Sequence, residues 1–269
     1  MDIKIKFLNR CVFFKFGMEE DKYLPLIYGH RGASGYKVDN TMSAFDLAIE
    51  QGVDGIESDV QLTSDGVPFL YHDSLIRVKR EDGVLEVKPS EIHSKELDDV
   101  ILPENERVPT VEQFFAKYGD LCANSGEKLL FSFDYHLNDG EITCNLAKKY
   151  NCEDQLFMCA NFGPLFKKVR NVSKKVHLVA SNSIRFLTFL TFKKNWSKYC
   201  KYDVEVFNVK AADFQEEYKE KLLEAGFQFY IWDLHDEERL RKNLPYRPHG
   251  IYSNYPDLAL KIRKELFGA

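Results

Sequence analysis

Nowhere in its 269 residues does the chain run to the roughly 18 to 20 consecutive apolar side chains that a membrane-spanning helix needs. An integral membrane segment is therefore not expected. A signal-peptide core is missing as well, because Lys4, Lys6, Arg10 and Lys15 interrupt the apolar residues of the first segment. The six cysteines (Cys11, Cys122, Cys144, Cys152, Cys159 and Cys200) contain no C-x-x-C spacing. They read as free thiols in a reducing compartment, which predicts a cytoplasmic location. Basic charge is not in excess either: 37 Lys and Arg stand against 42 Asp and Glu, a net of −5, so nucleic acid is not the expected partner. Low-complexity linkers and sequence repeats are absent too.

What is present is core-forming material. The chain is 44% apolar and holds 21 Phe and 14 Tyr, enough to bury a full interior. Short apolar runs at 25–30, 54–60, 128–134, 155–160, 176–180, 203–209, 227–232 and 249–254 alternate with amphipathic stretches. Those stretches fall at 40–51, 110–118, 139–150, 162–171, 183–198, 213–225, 235–242 and 256–266. Eight strand–helix units of this length predict an α/β fold, a closed parallel (β/α)8 TIM barrel, for which about 250 residues is typical. The rival, an open doubly wound sheet, needs a Gly-rich loop after its first strand, and Gly29-His30-Arg31-Gly32-Ala33-Ser34 lacks the G-x-G-x-x-G spacing. Residues 1–24 read as an N-terminal extension whose segment 2–16 is a hairpin over the N-terminal mouth of the barrel. Residues 25–269 read as one barrel domain, with a polar insertion at about 74–108, after the second strand. Loops at that end of such barrels build active sites, so the insertion is expected to roof a pocket.

The chemistry collects near the first two strands. Glu57 and Asp59 are two apart on a strand and project from one face, about 6 to 7 Å apart, a spacing that one hard divalent cation can bridge. Thr63-Ser64-Asp65-Gly66 is a tight turn leading into a further strand at 67–72. So short a connection joins antiparallel strands only, which folds His72 back opposite Glu57 or Asp59. His30, at the end of the first strand with Arg31 beside it, faces the same mouth. Two histidines, an arginine and two carboxylates predict metal-assisted acid–base chemistry on an anionic ester, most naturally a phosphate ester.

These residues resemble the glycerophosphodiester phosphodiesterase family. The resemblance is carried by His30-Arg31-Gly32, Asn40-Thr41, Gly52 to Val60, Leu62-Thr63, Asp65-Gly66 and His72-Asp73, with further matches at Pro109 to Glu112, Trp232 and Tyr252 to Asp257. It implies hydrolysis of glycerophosphodiesters to glycerol 3-phosphate and an alcohol, using one bound Mg²⁺ or Ca²⁺. His30 and His72 would be the general base and general acid, Arg31 a phosphate contact, and Glu57 and Asp59 metal ligands. It further implies that the substrate's own glycerol hydroxyl attacks phosphorus first, giving a cyclic phosphate that water then opens.

The chain departs from the family at its third strand, where Asp134 and His136 replace a Glu-x-Lys pair. By alternation both face the lumen, and the resemblance implies for them the roles of that pair, Asp134 as third metal ligand and His136 as phosphate contact. Trp232 is a candidate substrate contact, Trp232-Asp233-Leu234-His235 replaces the usual Trp-Thr-x-Asn, and Asn254, often Asp in the family, is expected to be structural. The substrate is expected to be a small glycerophosphodiester. A lysophospholipid, in lysophospholipase D-type hydrolysis, is the alternative, and phosphodiester binding without turnover a third reading. The charges of Arg77, Lys79, Arg80, Glu81 and Asp82 in the insertion favour the small polar substrate, whereas Phe186, Phe189 and Phe192 favour a lipid tail. The oligomeric state is left open.

Overall fold

The computed structural model describes residues 23–135, 140–161, 164–181 and 199–268. The hairpin expected at 2–16, the helix expected at 183–198 and His136 lie outside the described residues. Eight parallel strands close on themselves: β1 (Leu26–His30), β2 (Gly55–Leu62), β6 (Leu130–Tyr135), β7 (Leu156–Ala160), β8 (His177–Ser181), β9 (Val204–Lys210), β10 (Gln228–Trp232) and β11 (Gly250–Ser253). Closure comes from β1, which pairs with β11 through Tyr28↔Tyr252 on one side and with β2 through His30↔Glu57 on the other. This is the (β/α)8 barrel, and its strands begin and end within two residues of the apolar runs in the sequence. No helix among the described residues is long and apolar enough to cross a membrane.

Helices return the chain along the outside. They are α1 (Met42–Gln51), α2 (Val111–Tyr118), α3 (Gly140–Lys149), α4 (Pro164–Val172), α5 (Glu216–Glu224), α6 (Glu237–Asn243) and α7 (Pro256–Phe267). Their starts follow local chemistry. Thr41 accepts from the Ala44 amide, Thr110 and Gln113 form a reciprocal capping box, and Asp236 accepts from the Arg239 amide. Alternation along the strands sorts side chains into two cores. Ile27, Ile56, Phe131 and Phe133 point outward and pack with Phe45, Phe114 and Phe115 of the helices. Burying each such Phe is worth about 1.5–3 kcal/mol. Tyr28, Phe157, Cys159, Val179, Val206, Tyr230 and Tyr252 point inward and fill the lumen. In that plug the Ser132 hydroxyl partners Tyr252 at 2.8 Å and Cys159 at 3.2 Å, and the Tyr28 and Tyr230 hydroxyls meet at 3.4 Å. The barrel is therefore solid beneath its C-terminal mouth.

The insertion is more structured than its polarity suggests. After β3 (Pro68–Leu70), which runs antiparallel to β2, the strands β4 (Ile76–Arg80) and β5 (Gly83–Val87) form a hairpin around Glu81-Asp82. Gly83, which opens β5 directly after the turn, adopts φ 119°, a conformation that glycine takes without strain. Ile76, Val78, Ile92, Leu97, Val100 and Val108 pack with Phe69 into a small cluster of their own.

Candidate active site

The turn after β1 sets the geometry. Arg31 adopts a left-handed conformation at φ 55°, which directs its amide at Glu57 Oε2, 3.1 Å away. Gly32 follows at φ 81°, and a Cβ there would stand 2.5 Å from the Ala44 backbone. Only glycine lets the turn press against the start of α1. The loop then closes where the Asn40 amide donates to the Arg31 carbonyl at 3.1 Å. Asn40 is itself left-handed at φ 56° and buried. Its Nδ2 donates to Asp59 Oδ2 at 3.1 Å, while its Oδ1 accepts from Ser58 Oγ at 2.6 Å and from the Asp59 amide.

Arg31 and the two β2 carboxylates form one cluster. The guanidinium reaches Asp59 through Nε at 2.9 Å and Asp39 through Nη1 at 3.3 Å. Glu57 and Asp59 are nearly solvent-free, at 5% and 4% exposure. Asp134 stands beside Asp59 in strand register. Burial, followed by the charges of Asp59 and Asp134, pushes the Glu57 carboxyl well above the usual carboxylate range, against the pull of Arg31.

His30 sits over this cluster, its Nε2 3.7 Å from Glu57 Oε2. Its Nδ1 lies 2.6 Å from Asn254 Oδ1. An amide oxygen only accepts, so Nδ1 carries the proton and Nε2 the lone pair. Burial and the Arg31 charge push the imidazole down to about 4, so it is neutral at pH 7. Asn254, expected to be structural, thus orients a candidate base. Closure of β11 on β1 makes the contact, and a sequence separation of 224 residues hides it.

His72 is placed differently from the expectation. The pairing Val60↔Leu70 puts Tyr71 across from Asp59, with the Tyr71 amide donating to the Asp59 carbonyl at 3.0 Å. Continued one residue, that register sets His72 across from Ser58, not Glu57 or Asp59, because the turn is centred on Asp65. β3 has ended by then, and His72, 38% exposed at its side chain, pairs through Nδ1 with Asp73 at 2.8 Å. Trp232 ends β10 and packs on the lumen cluster, with Lys210 Nζ 5.2 Å from its ring centre.

A cleft of about 290 Å³ opens here, lined by His30, Arg31, Lys37, Asp39, Asn254 and, from the insertion, Pro103. Glu57, Asp59 and Asp134 offer carboxylate oxygens only, the donor set that Mg²⁺ or Ca²⁺ prefers. The unfavourable charge on Glu57 is what such a cation would relieve, so the residues fit one in kind. Among the described residues no three His, Cys, Asp or Glu side chains are already arranged to hold a metal ion.

A parallel barrel with an imidazole, an arginine and buried carboxylates at its C-terminal mouth defines a hydrolase-type site. A sequence model of the glycerophosphoryl diester phosphodiesterase family matches residues 30–258, and the chain belongs to that family. YhdW of Bacillus subtilis (strain 168) is 25% identical over 246 residues, 88% of this chain and 98% of its own length. Similarity to glycerophosphodiester phosphodiesterase domain-containing protein 5 of Gallus gallus reaches 48% identity but is confined to 65 residues, 24% of this chain and 10% of that protein. The fold matches that of a phosphodiesterase from Oleispira antarctica, solved in complex with the product sn-glycerol-3-phosphate. The TM-score is 0.71 at 18% identity, over 90% of this chain and 98% of that one.

Proposed function

We propose that the chain hydrolyses small glycerophosphodiesters to glycerol 3-phosphate and an alcohol. The observation that carries this reading is His30, held neutral and oriented by Asn254 above Glu57, Asp59 and Arg31. Nε2 of His30 takes the proton of the substrate's own glycerol hydroxyl as that oxygen bonds to phosphorus, on the way to a cyclic phosphate. The bond from phosphorus to the alcohol oxygen then breaks, and that oxygen takes a proton from His72, which Asp73 contacts at 2.8 Å. Water then opens the cyclic phosphate to glycerol 3-phosphate, giving its proton to His72 as His30 returns one to the ring oxygen that leaves phosphorus. Arg31 and His136 hold phosphate oxygens. Glu57, Asp59 and Asp134 would hold one Mg²⁺ or Ca²⁺, which supplies charge stabilisation on the phosphoryl oxygens when bound.

Exposed Leu75, Val84, Leu85 and Ile101 on the insertion support a second reading, a lysophospholipid substrate cleaved by the same chemistry. A panel of soluble glycerophosphodiesters and lysophospholipids, assayed with Mg²⁺, Ca²⁺ or chelator and read out as released glycerol 3-phosphate and free alcohol, tests both. Release of glycerol 3-phosphate from soluble diesters supports the first reading. Turnover of lysophospholipids alone supports the second, and no turnover of any diester refutes both.

A further inference from the structure

One side of the barrel mouth carries a polar arc that the proposed reaction leaves unused. It begins at His235, whose ring centre is 5.4 Å from that of His30. Asp233, a non-glycine residue in a left-handed conformation at φ 70°, accepts from His235 Nε2 at 2.9 Å. The same carboxylate faces Lys210 Nζ at 3.5 Å and Arg239 Nη1 at 3.6 Å. Lys210 lies over the Trp232 ring. With Nε2 donating to Asp233, Nδ1 of the neutral imidazole is an acceptor. That nitrogen is shielded from solvent and meets no hydrogen-bonding group among the described residues. Burial and the charges of Arg239 and Arg31 hold His235 below its ordinary pKa, which keeps that lone pair available.

Resting on the reading of the chain as a glycerophosphodiesterase, we propose that this arc is the subsite for the alcohol half of the diester, and that it takes an uncharged polyol, a glycerol or cyclitol group, in preference to a quaternary ammonium. Hydroxyls both donate and accept, and the arc offers both partners: the Lys210 ammonium as donor and Asp233 as acceptor, with His235 Nδ1 a second acceptor once its ring turns toward the bound hydroxyl. A quaternary ammonium has no hydrogen-bond donor. Its usual recognition element is an open aromatic face, and here the protein's own ammonium lies over Trp232 and repels a second cation.

Calorimetry on the full-length His72→Ala protein, with and without Mg²⁺, compares glycerophosphoglycerol and glycerophosphoinositol with glycerophosphocholine. The polyol diesters should bind about tenfold more tightly, the scale of a single cation–π interaction that choline is denied. Lys210→Met should narrow that ratio by admitting choline to the ring, with Lys210→Gln as the second variant should the first not fold. His235→Phe should weaken the polyol diesters and leave glycerophosphocholine unchanged. Equal or tighter binding of glycerophosphocholine, an unaltered ratio in the folded Lys210 variant, or no binding of any diester overturns the subsite. Selective binding without turnover of any diester by the unmodified protein would refute the hydrolase reading and leave the subsite standing.

Discussion

His30 and Asn254, 224 positions apart, meet at 2.6 Å at the seam where the barrel closes, and the amide oxygen leaves the imidazole one tautomer, with its lone pair on Nε2. The same ring is buried, neutral and 3.7 Å from Glu57. Position and protonation state are thus decided by different neighbours.

Removing that orientation should slow turnover without much change in substrate affinity. Asn254→Leu is expected to lower kcat by about tenfold to a hundredfold, the value of one buried orienting hydrogen bond, with KM nearly constant. His30→Ala and His72→Ala should each cost about a hundredfold or more. Steady-state kinetics on the folded variants checks this. A rise in KM at constant kcat in Asn254→Leu would show that the amide contacts substrate and does not orient the base.

Glu57 sets stability against function. Its carboxyl titrates above the usual range when folded, so the metal-free protein is most stable where Glu57 is protonated and loses that contribution as pH rises through the folded value. Glu57→Gln should therefore raise the melting temperature of the metal-free protein at pH 7.5 by roughly 2–4 °C. Mg²⁺ or Ca²⁺ should raise the melting temperature of the unmodified protein only, and exhaustive chelation should abolish its turnover. Scanning calorimetry with and without cation reads the first two outcomes, and full activity in chelator would refute the third.

Asn40 ties the loop to the carboxylates. Asn40→Ala removes the donor to Asp59 and leaves the buried Ser58 hydroxyl and Asp59 amide without their acceptor. It also leaves a Cβ-bearing residue at φ 56° with no side-chain oxygen to stabilise the turn. A loss of about 2–4 kcal/mol in urea unfolding is expected. A loss below about 1 kcal/mol would mean that water replaces the amide.

Acid should destabilise the far side of the molecule through His249. The ring stacks on Tyr23, packs edge-on against Phe229 and accepts from the Phe229 amide at 3.4 Å. Burial pushes it down to about 4, from about 6.5 in the unfolded chain. Between those values the unfolded chain binds the extra proton. Stability is therefore complete above about pH 6.5 and falls as pH drops toward 4, by at most about 3 kcal/mol from this residue. His249→Phe should flatten the pH dependence of unfolding across that window, and an unchanged slope would assign it to other groups.

The amino-acid sequence by itself determined the barrel and the kinds of side chain at its mouth. Strands such as Leu156–Ala160 and Gln228–Trp232 are short apolar runs, and helices such as Val111–Tyr118 carry their own caps, so both are local signals. The spacing of Glu57 and Asp59 likewise shows that they share a face. The β4–β5 hairpin was hidden by its charge, because its apolar partners, Phe69 among them, come from separate segments. His72 depended on a register in which one residue exchanges one face for the other. Tertiary structure alone decided which neighbours the charged groups meet: Asn254 on His30, Arg31 between Asp39 and Asp59, and Asp233 among Lys210, His235 and Arg239. Periodicity specifies the direction a side chain takes from its own strand, whereas its hydrogen-bond partner is specified by which distant strand closes beside it.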